Sequence, residues 1–215
     1  KAVCARFGID ALDGNERWLP LLGGIFRQNI VTLSGAPGGG KTTLALGAAI
    51  QTAKDALQRV NFVHDRAARV LIFATEMRGP QVSLRLACAA AGVEFKKLRM
   101  GTASKEECVN VHAAGKGLAE LPIDIIDARV NGGSISVDDV RRHTVSACAR
   151  GEVALVVVDY FQDLARCRDM TRASVTEEQE ERAKRLHDVA VDSDVPMTGV
   201  SSMNKTGQRG HQEGQ

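Results

Sequence analysis

Hydrophobic positions fall along this chain in two rhythms: short uninterrupted apolar runs, and longer stretches where apolar residues return every three or four positions. The runs are Ile30-Val31-Thr32-Leu33, Val70-Leu71-Ile72-Phe73-Ala74-Thr75, Ile123-Asp124-Ile125-Ile126-Asp127, Val153-Ala154-Leu155-Val156-Val157-Val158 and the segment from Val195 to Val200. Their length is that of strands, and their continuous apolar character predicts burial on both faces. Between them, helical periodicity covers Thr43 to about Leu57, Gln81 to Ala91, residues 94–120 with breaks at Gly101 and Gly115, and Val137 to Ala149 behind a Ser136 cap. A last helix is predicted from Thr176 to Val191, with Ala183, Leu186, Val189 and Ala190 on one face and several glutamates in its first turn. Strand and helix alternate throughout, which predicts an α/β fold with a doubly wound, mainly parallel sheet. Residues 1–29, with turn signals around Gly8 to Gly14 and at Gly23-Gly24, read as a lead-in, and residues 30–215 as one domain.

The chemistry gathers where the strands end. The first run leads into Gly35-Ala36-Pro37-Gly38-Gly39-Gly40-Lys41-Thr42, followed by Thr43 and a helical pattern. This is the spacing of the P-loop or Walker A motif. Its glycines let consecutive backbone N–H groups turn inward around phosphate oxygens, and the helix dipole adds partial positive charge there. Lys41 supplies a full charge for the β- and γ-phosphates, and the Thr42 hydroxyl can ligate the Mg²⁺ that bridges them. A nucleoside triphosphate is the implied ligand. The second run delivers Glu76 to the same rim, either as a site carboxylate or as a helix-start glutamate before Gly79-Pro80. The run Val153 to Val158 closes on Asp159, the carboxylate such a site needs for its metal.

Composition narrows the picture without redirecting it. Of 215 residues, 44% are hydrophobic and 25% charged, which suits a globular domain with a sizeable core. No apolar stretch has membrane-spanning length, and a net charge of +2 confines any nucleic-acid contact to a local patch. Five scattered cysteines without a C-x-x-C pair favour reduced thiols over disulfides or zinc. Trp18 and His64 are read as packing or solvated residues. After Gln162 the composition turns basic, with Arg166, Arg168 and Arg172 in a polar loop.

Several segments, taken together and in order, resemble the motifs of the DnaB-type replicative helicases. They are Phe73-Ala74-Thr75-Glu76-Met77, Leu84-Arg85-Leu86 leading to Ala91-Gly92-Val93, Lys97-Leu98-Arg99-Met100-Gly101, Val158-Asp159-Tyr160-Phe161-Gln162 and Ser201-Ser202-Met203-Asn204-Lys205. The resemblance spans roughly residues 7 to 209 and covers the RecA-like motor domain of that family. It implies an ATP-driven, Mg²⁺-dependent DNA helicase motor that assembles as a homo-hexameric ring around single-stranded DNA, in a bacterial cytosol or in a phage's host. It also implies roles for particular residues. Lys41 and Thr42 hold phosphates and metal, Glu76 takes the catalytic glutamate position, Asp159 takes the acidic metal position, and Gln162 and Ser202 take sensor positions. Arg166, Arg168 and Arg172, with Asn204, Lys205 and Arg209, fall on segments matching loops that track the DNA backbone.

The chain departs from the family pattern in three places. Ser202 stands where the family usually has Gln. The helical N-terminal domain that binds primase and loader has no counterpart in these residues, so those partners would be reached through regions outside this chain. The closing strands and the basic finger presented to a neighbouring nucleotide would lie beyond Gln215, with Arg209 as a fallback finger. The chain therefore reads as an incomplete motor domain, or as a motor whose remainder is disordered or removed, that binds nucleotide but turns it over slowly by itself. Two other readings share the phosphate loop: a RecA- or RadA-like recombinase ATPase, and a non-motor ATP-binding switch module.

Overall fold

A computed structural model of the protein describes residues 4–7, 12, 23–59, 67–129, 131–166 and 174–202. The five apolar runs become five parallel strands: β3 (Ile30–Gly35), β4 (Arg69–Ala74), β5 (Ile123–Asp127), β6 (Val153–Asp159) and β7 (Met197–Ser202). They lie side by side in the order β3-β7-β6-β4-β5. Two short strands before them, β1 (Cys4–Ala5) and β2 (Ile25–Phe26), pair antiparallel as a separate ribbon.

Helices cover both faces, which is why the central strands are apolar throughout. Along β4, Val70, Ile72 and Ala74 pack into one core and Leu71 and Phe73 into the other. All seven residues of β6 are buried, so its single carboxylate, Asp159, sits at the end of a dry strand. On the first face lies α1 (Lys41–Arg59), whose buried alanines 45, 48, 49, 53 and 56 keep the helix close to the sheet. Beside it lies α2 (Gly79–Ala91), and Ala5, Phe7 and Ile25 of the lead-in pack into the same core. The second face is covered by α5 (Val137–Arg150) and α6 (Val175–Asp192), while α3 (Phe95–Arg99) and α4 (Lys105–Leu118) flank α2.

The structure differs from the sequence expectation at three points. Gly115 does not break its helix: α4 runs on to Leu118, because a helical glycine costs only about 1 kcal/mol relative to alanine. The capping box of Ser104 with Glu107 and the packing of Val111 hold the helix together. The last strand begins at Met197 and not at Val195, since Pro196 has no N–H to give to the ladder. Ala183 is exposed. The buried stripe of α6 consists of Glu178, Arg182, Leu186, Val189 and Ala190, so Ala183 is replaced on it by Arg182, and one of the first-turn glutamates, expected at the dipole's end, is buried.

Candidate active site

Every strand-end residue with chemistry to offer arrives at the carboxyl edge of the sheet, where ligands bind in open α/β folds. Register places them. Gly35 pairs with Ser202, Ala74 pairs with both Asp159 and Asp127, and Asp159 pairs with Val200. The phosphate loop and Asp159 are therefore separated by the width of one strand, β7, or roughly 10 Å from axis to axis. The start of α1 spans that gap.

The loop Ala36 to Gly40 is exposed, and Gly38 and Gly40 hold φ values of +78° and +80°, a region where a side chain would be strained. Lys41, buried at the first position of α1, donates from Nζ to the carbonyls of Gly35 and Ala36, each at 2.8 Å. An ammonium has three donors, so one remains for an incoming oxygen. Thr42 is buried behind it and donates from Oγ1 to Asp159 Oδ1 at 3.3 Å, while Thr43 faces solvent.

Asp159 is 2% exposed, and its Oδ2 has no hydrogen-bond partner among the described residues. Burial pushes its carboxyl up to about 6, against the opposing pull of the Thr42 hydroxyl and the positive charges of Arg85 and Lys41. The nearby Glu76 pushes the same way as burial. An orphaned carboxylate oxygen beside a threonine hydroxyl is a donor set that fits a magnesium ion. Mg²⁺ keeps much of its water and needs only one or two protein oxygens together with phosphates. Among the described residues, no group of three or more His, Cys, Asp or Glu could hold a metal alone.

Glu76 is exposed, two residues beyond the Ala74–Asp159 pairing, and the residue between is one that the sequence reading passed over. The Thr75 backbone N–H donates to the Asp159 carbonyl at 3.0 Å. Its Oγ1 accepts from the Tyr160 N–H at 2.8 Å and lies 3.1 Å and 3.0 Å from the carbonyls of Asp159 and Tyr160. Thr75 thus extends the ladder past its last strand residue and ties the two acid-bearing strand ends together. Arg85, on α2, also bears on the site. Its guanidinium sits 4.7 Å from the centre of the Phe95 ring and acts electrostatically on Asp159.

The two sensor candidates meet. Gln162, in a single 3-10 turn Phe161–Asp163, donates from Nε2 to Ser201 Oγ and, at 3.1 Å, to the Ser202 carbonyl. Arg166 is engaged as well, with its Nε 3.2 Å from Glu178 Oε2. Trp18, His64, Arg168, Arg172, Asn204, Lys205 and Arg209 lie outside the described residues.

Comparison with known proteins gives this geometry a family. The sequence matches the DnaB-like helicase C terminal domain family over residues 14–213. It is 32% identical over 144 residues, 66% of this chain, to the replicative DNA helicase DnaB of Synechocystis sp., and 25% identical over 183 residues, 85% of this chain, to a probable replicative DNA helicase of Trieres chinensis. The chain spans 15% and 37% of the length of those two curated relatives. In fold it resembles a DnaB-like replicative helicase whose structure was solved with regard to its interactions with primase. The TM-score is 0.76 at 20% identity, over 97% of this chain and 46% of the other. It also resembles the ATPase domain of G40P, with a TM-score of 0.72 at 20% identity, over 95% of this chain and 66% of that one. The match over residues 14–213 decides the matter: this chain belongs to the DnaB-like helicase C-terminal domain family.

Proposed function

We propose that this chain is the ATP-hydrolysing motor of a replicative DNA helicase. In this reading residues 30–215 form the motor, residues 1–29 lead into it, and the assembled protein is a homo-hexamer that moves along single-stranded DNA in the cytoplasm. Primase and loader would engage parts of the full-length protein outside these residues. The observation that carries the reading is the convergence of Lys41, Thr42, Asp159 and Glu76 on one edge of the sheet, with one Asp159 oxygen left without a protein partner.

Catalysis then follows from what each group can do. The loop N–H groups and the Lys41 ammonium bind and orient the triphosphate. Thr42 and Asp159 would hold a magnesium ion, which when bound supplies positive charge to the phosphate oxygens. Glu76 orients a water molecule and takes the proton it sheds. The water oxygen forms its bond to the γ-phosphorus as the bond from that phosphorus to the ADP oxygen breaks. Gln162 and Ser202 would report the state of the γ-phosphate, and Arg166, Arg168, Arg172, Asn204, Lys205 and Arg209 would lie along the DNA backbone.

Unwinding of a forked duplex by the full-length protein, assayed with its native mass, tests the reading. ATP-dependent unwinding by a hexamer is the expected result. Strand exchange by a filament would replace it with a recombinase, and hydrolysis indifferent to single-stranded DNA would replace it with a switch.

A further inference from the structure

Two oppositely charged side chains on α6 are buried where apolar ones would cost less. Glu178 is 4% exposed and Arg182 6%, one turn apart on the stripe that continues as Leu186, Val189 and Ala190. A buried ion pair contributes little net stability compared with a well-packed apolar pair, so its partners are the informative part. Arg182 Nη2 donates to Glu178 Oε1 at 2.7 Å, and its Nη1 donates to the Gln162 carbonyl at 2.6 Å. The second carboxylate oxygen of Glu178 faces Arg166, whose side chain is 64% exposed. The Gln162 amide in turn holds Ser201 and Ser202, and Ser202 is in register with Gly35 at the start of the phosphate loop. Hydrogen bonds and ion pairs therefore run without a gap from a solvent-facing arginine to the nucleotide edge.

We propose that Glu178 and Arg182 are positioning residues that couple occupation of Arg166 by a nucleic-acid phosphate to the placement of Gln162 at the nucleotide edge. The inference rests on the reading of the chain as a DNA-dependent ATPase. A phosphodiester that takes Arg166 withdraws one of the two cations facing a desolvated carboxylate. Glu178 then turns fully on Arg182, whose Nε has no partner among the described residues and can complete a two-pronged contact. Any movement of Arg182 toward Glu178 draws on the Gln162 carbonyl it also holds. Because linkage is reciprocal, nucleotide that repositions Gln162 must change affinity for the DNA phosphate by the same factor.

The test is that factor, measured in the full-length protein as the affinity for a fluorescent single-stranded oligonucleotide with and without a non-hydrolysable ATP analogue and Mg²⁺. Couplings of this kind are typically about 5- to 150-fold. In Glu178→Gln and Arg182→Lys it should fall to about twofold or less, because the first loses the charge that competes for Arg166 and the second cannot hold Glu178 and Gln162 at once. Since removing one member of a buried pair can unfold the helix, the paired apolar replacement Glu178→Leu with Arg182→Met is made alongside. It should melt and assemble like the parent and still lack coupling. Parental coupling in that folded double variant overturns the proposal alone. A parent protein that binds no single-stranded DNA overturns the proposal together with the reading beneath it.

Discussion

Asp159 and Glu178 are both carboxylates almost wholly removed from water, and the fold treats them in opposite ways. Asp159 receives one threonine hydroxyl at 3.3 Å, and its second oxygen has no partner among the described residues, so burial raises its proton affinity. Glu178 has an arginine on each oxygen. The difference separates two uses of a buried charge. One that is left short of partners is stabilised by a ligand, and one that is fully met serves as a mechanical joint. Gln162, three residues after Asp159, accepts at its carbonyl from the Arg182 that also holds Glu178.

The comparison can be broken or sharpened by experiment. The largest effect is expected at the acids of the candidate site. Glu76→Gln should leave Mg²⁺-ATP affinity within a few-fold and lower turnover by about 10²- to 10⁴-fold, because it keeps size and hydrogen bonding but cannot take the proton. Steady-state hydrolysis beside equilibrium binding gives both numbers, and parental turnover would make Glu76 a helix-start residue. Arg182→Ala should cost up to about 3–5 kcal/mol in chemical unfolding, since it leaves buried Glu178 with only the solvent-facing Arg166 as a partner. A loss below about 1 kcal/mol would place Glu178 in water and erase the contrast.

Asp159 should show the opposite sign. Its folded proton affinity, near 6, lies above the value of about 3.9 for an unfolded aspartate. The protonated form therefore stabilises the fold below about pH 4, and that contribution is lost as pH rises through 6. The loss is on the order of 3 kcal/mol by pH 8. Metal-free Asp159→Asn should accordingly melt higher than the parent at pH 8, with a flatter pH profile, while losing metal-dependent turnover. Equal melting profiles would mean the carboxylate is not short of partners. The smallest effect is expected at Thr75→Val, which keeps shape and removes the hydroxyl that ties Glu76 to Asp159. Turnover should fall about tenfold, roughly 1.4 kcal/mol, with KM for ATP unchanged, and Thr75→Ser should restore it.

The ligand-facing half of this contrast was legible in the sequence, and the joint was not. The candidate phosphate loop announces itself because the chemistry its motif implies is local: Gly38, Gly40, Lys41 and Thr42 would act from one turn of chain. The strands were equally plain, since burial on both faces leaves uninterrupted apolar runs such as Val153 to Val158. Only the family resemblance assigns Glu76 to the candidate site, because a glutamate before Gly79-Pro80 serves a helix start as well as a site. Thr75 escaped notice because its partners are 84 and 85 residues away and nothing local distinguishes it from any strand threonine. The α6 pair does carry a signal in the sequence. Continuing its apolar stripe toward the N-terminus in steps of four from Leu186 reaches Arg182 and then Glu178, opposite charges at the spacing of a helical ion pair. Glutamates in a first turn are ordinarily explained by the helix dipole, and that explanation hid the buried one.

The pairing of β3 with β7 also sets an order of events during synthesis. β3 carries the phosphate loop yet joins the sheet through β7, with Thr198 donating to the Val31 carbonyl across 167 residues of sequence. At about 5–20 residues per second, a ribosome needs roughly 10–30 seconds after making β3 before its partner exists. During that interval β4, β5 and β6 can assemble, but the glycine loop has no strand beside it to fix its approach to Asp159. Nucleotide binding should therefore appear late and abruptly on the nascent chain, when the segment through Ser202 emerges, so that an unfinished polypeptide cannot sequester ATP.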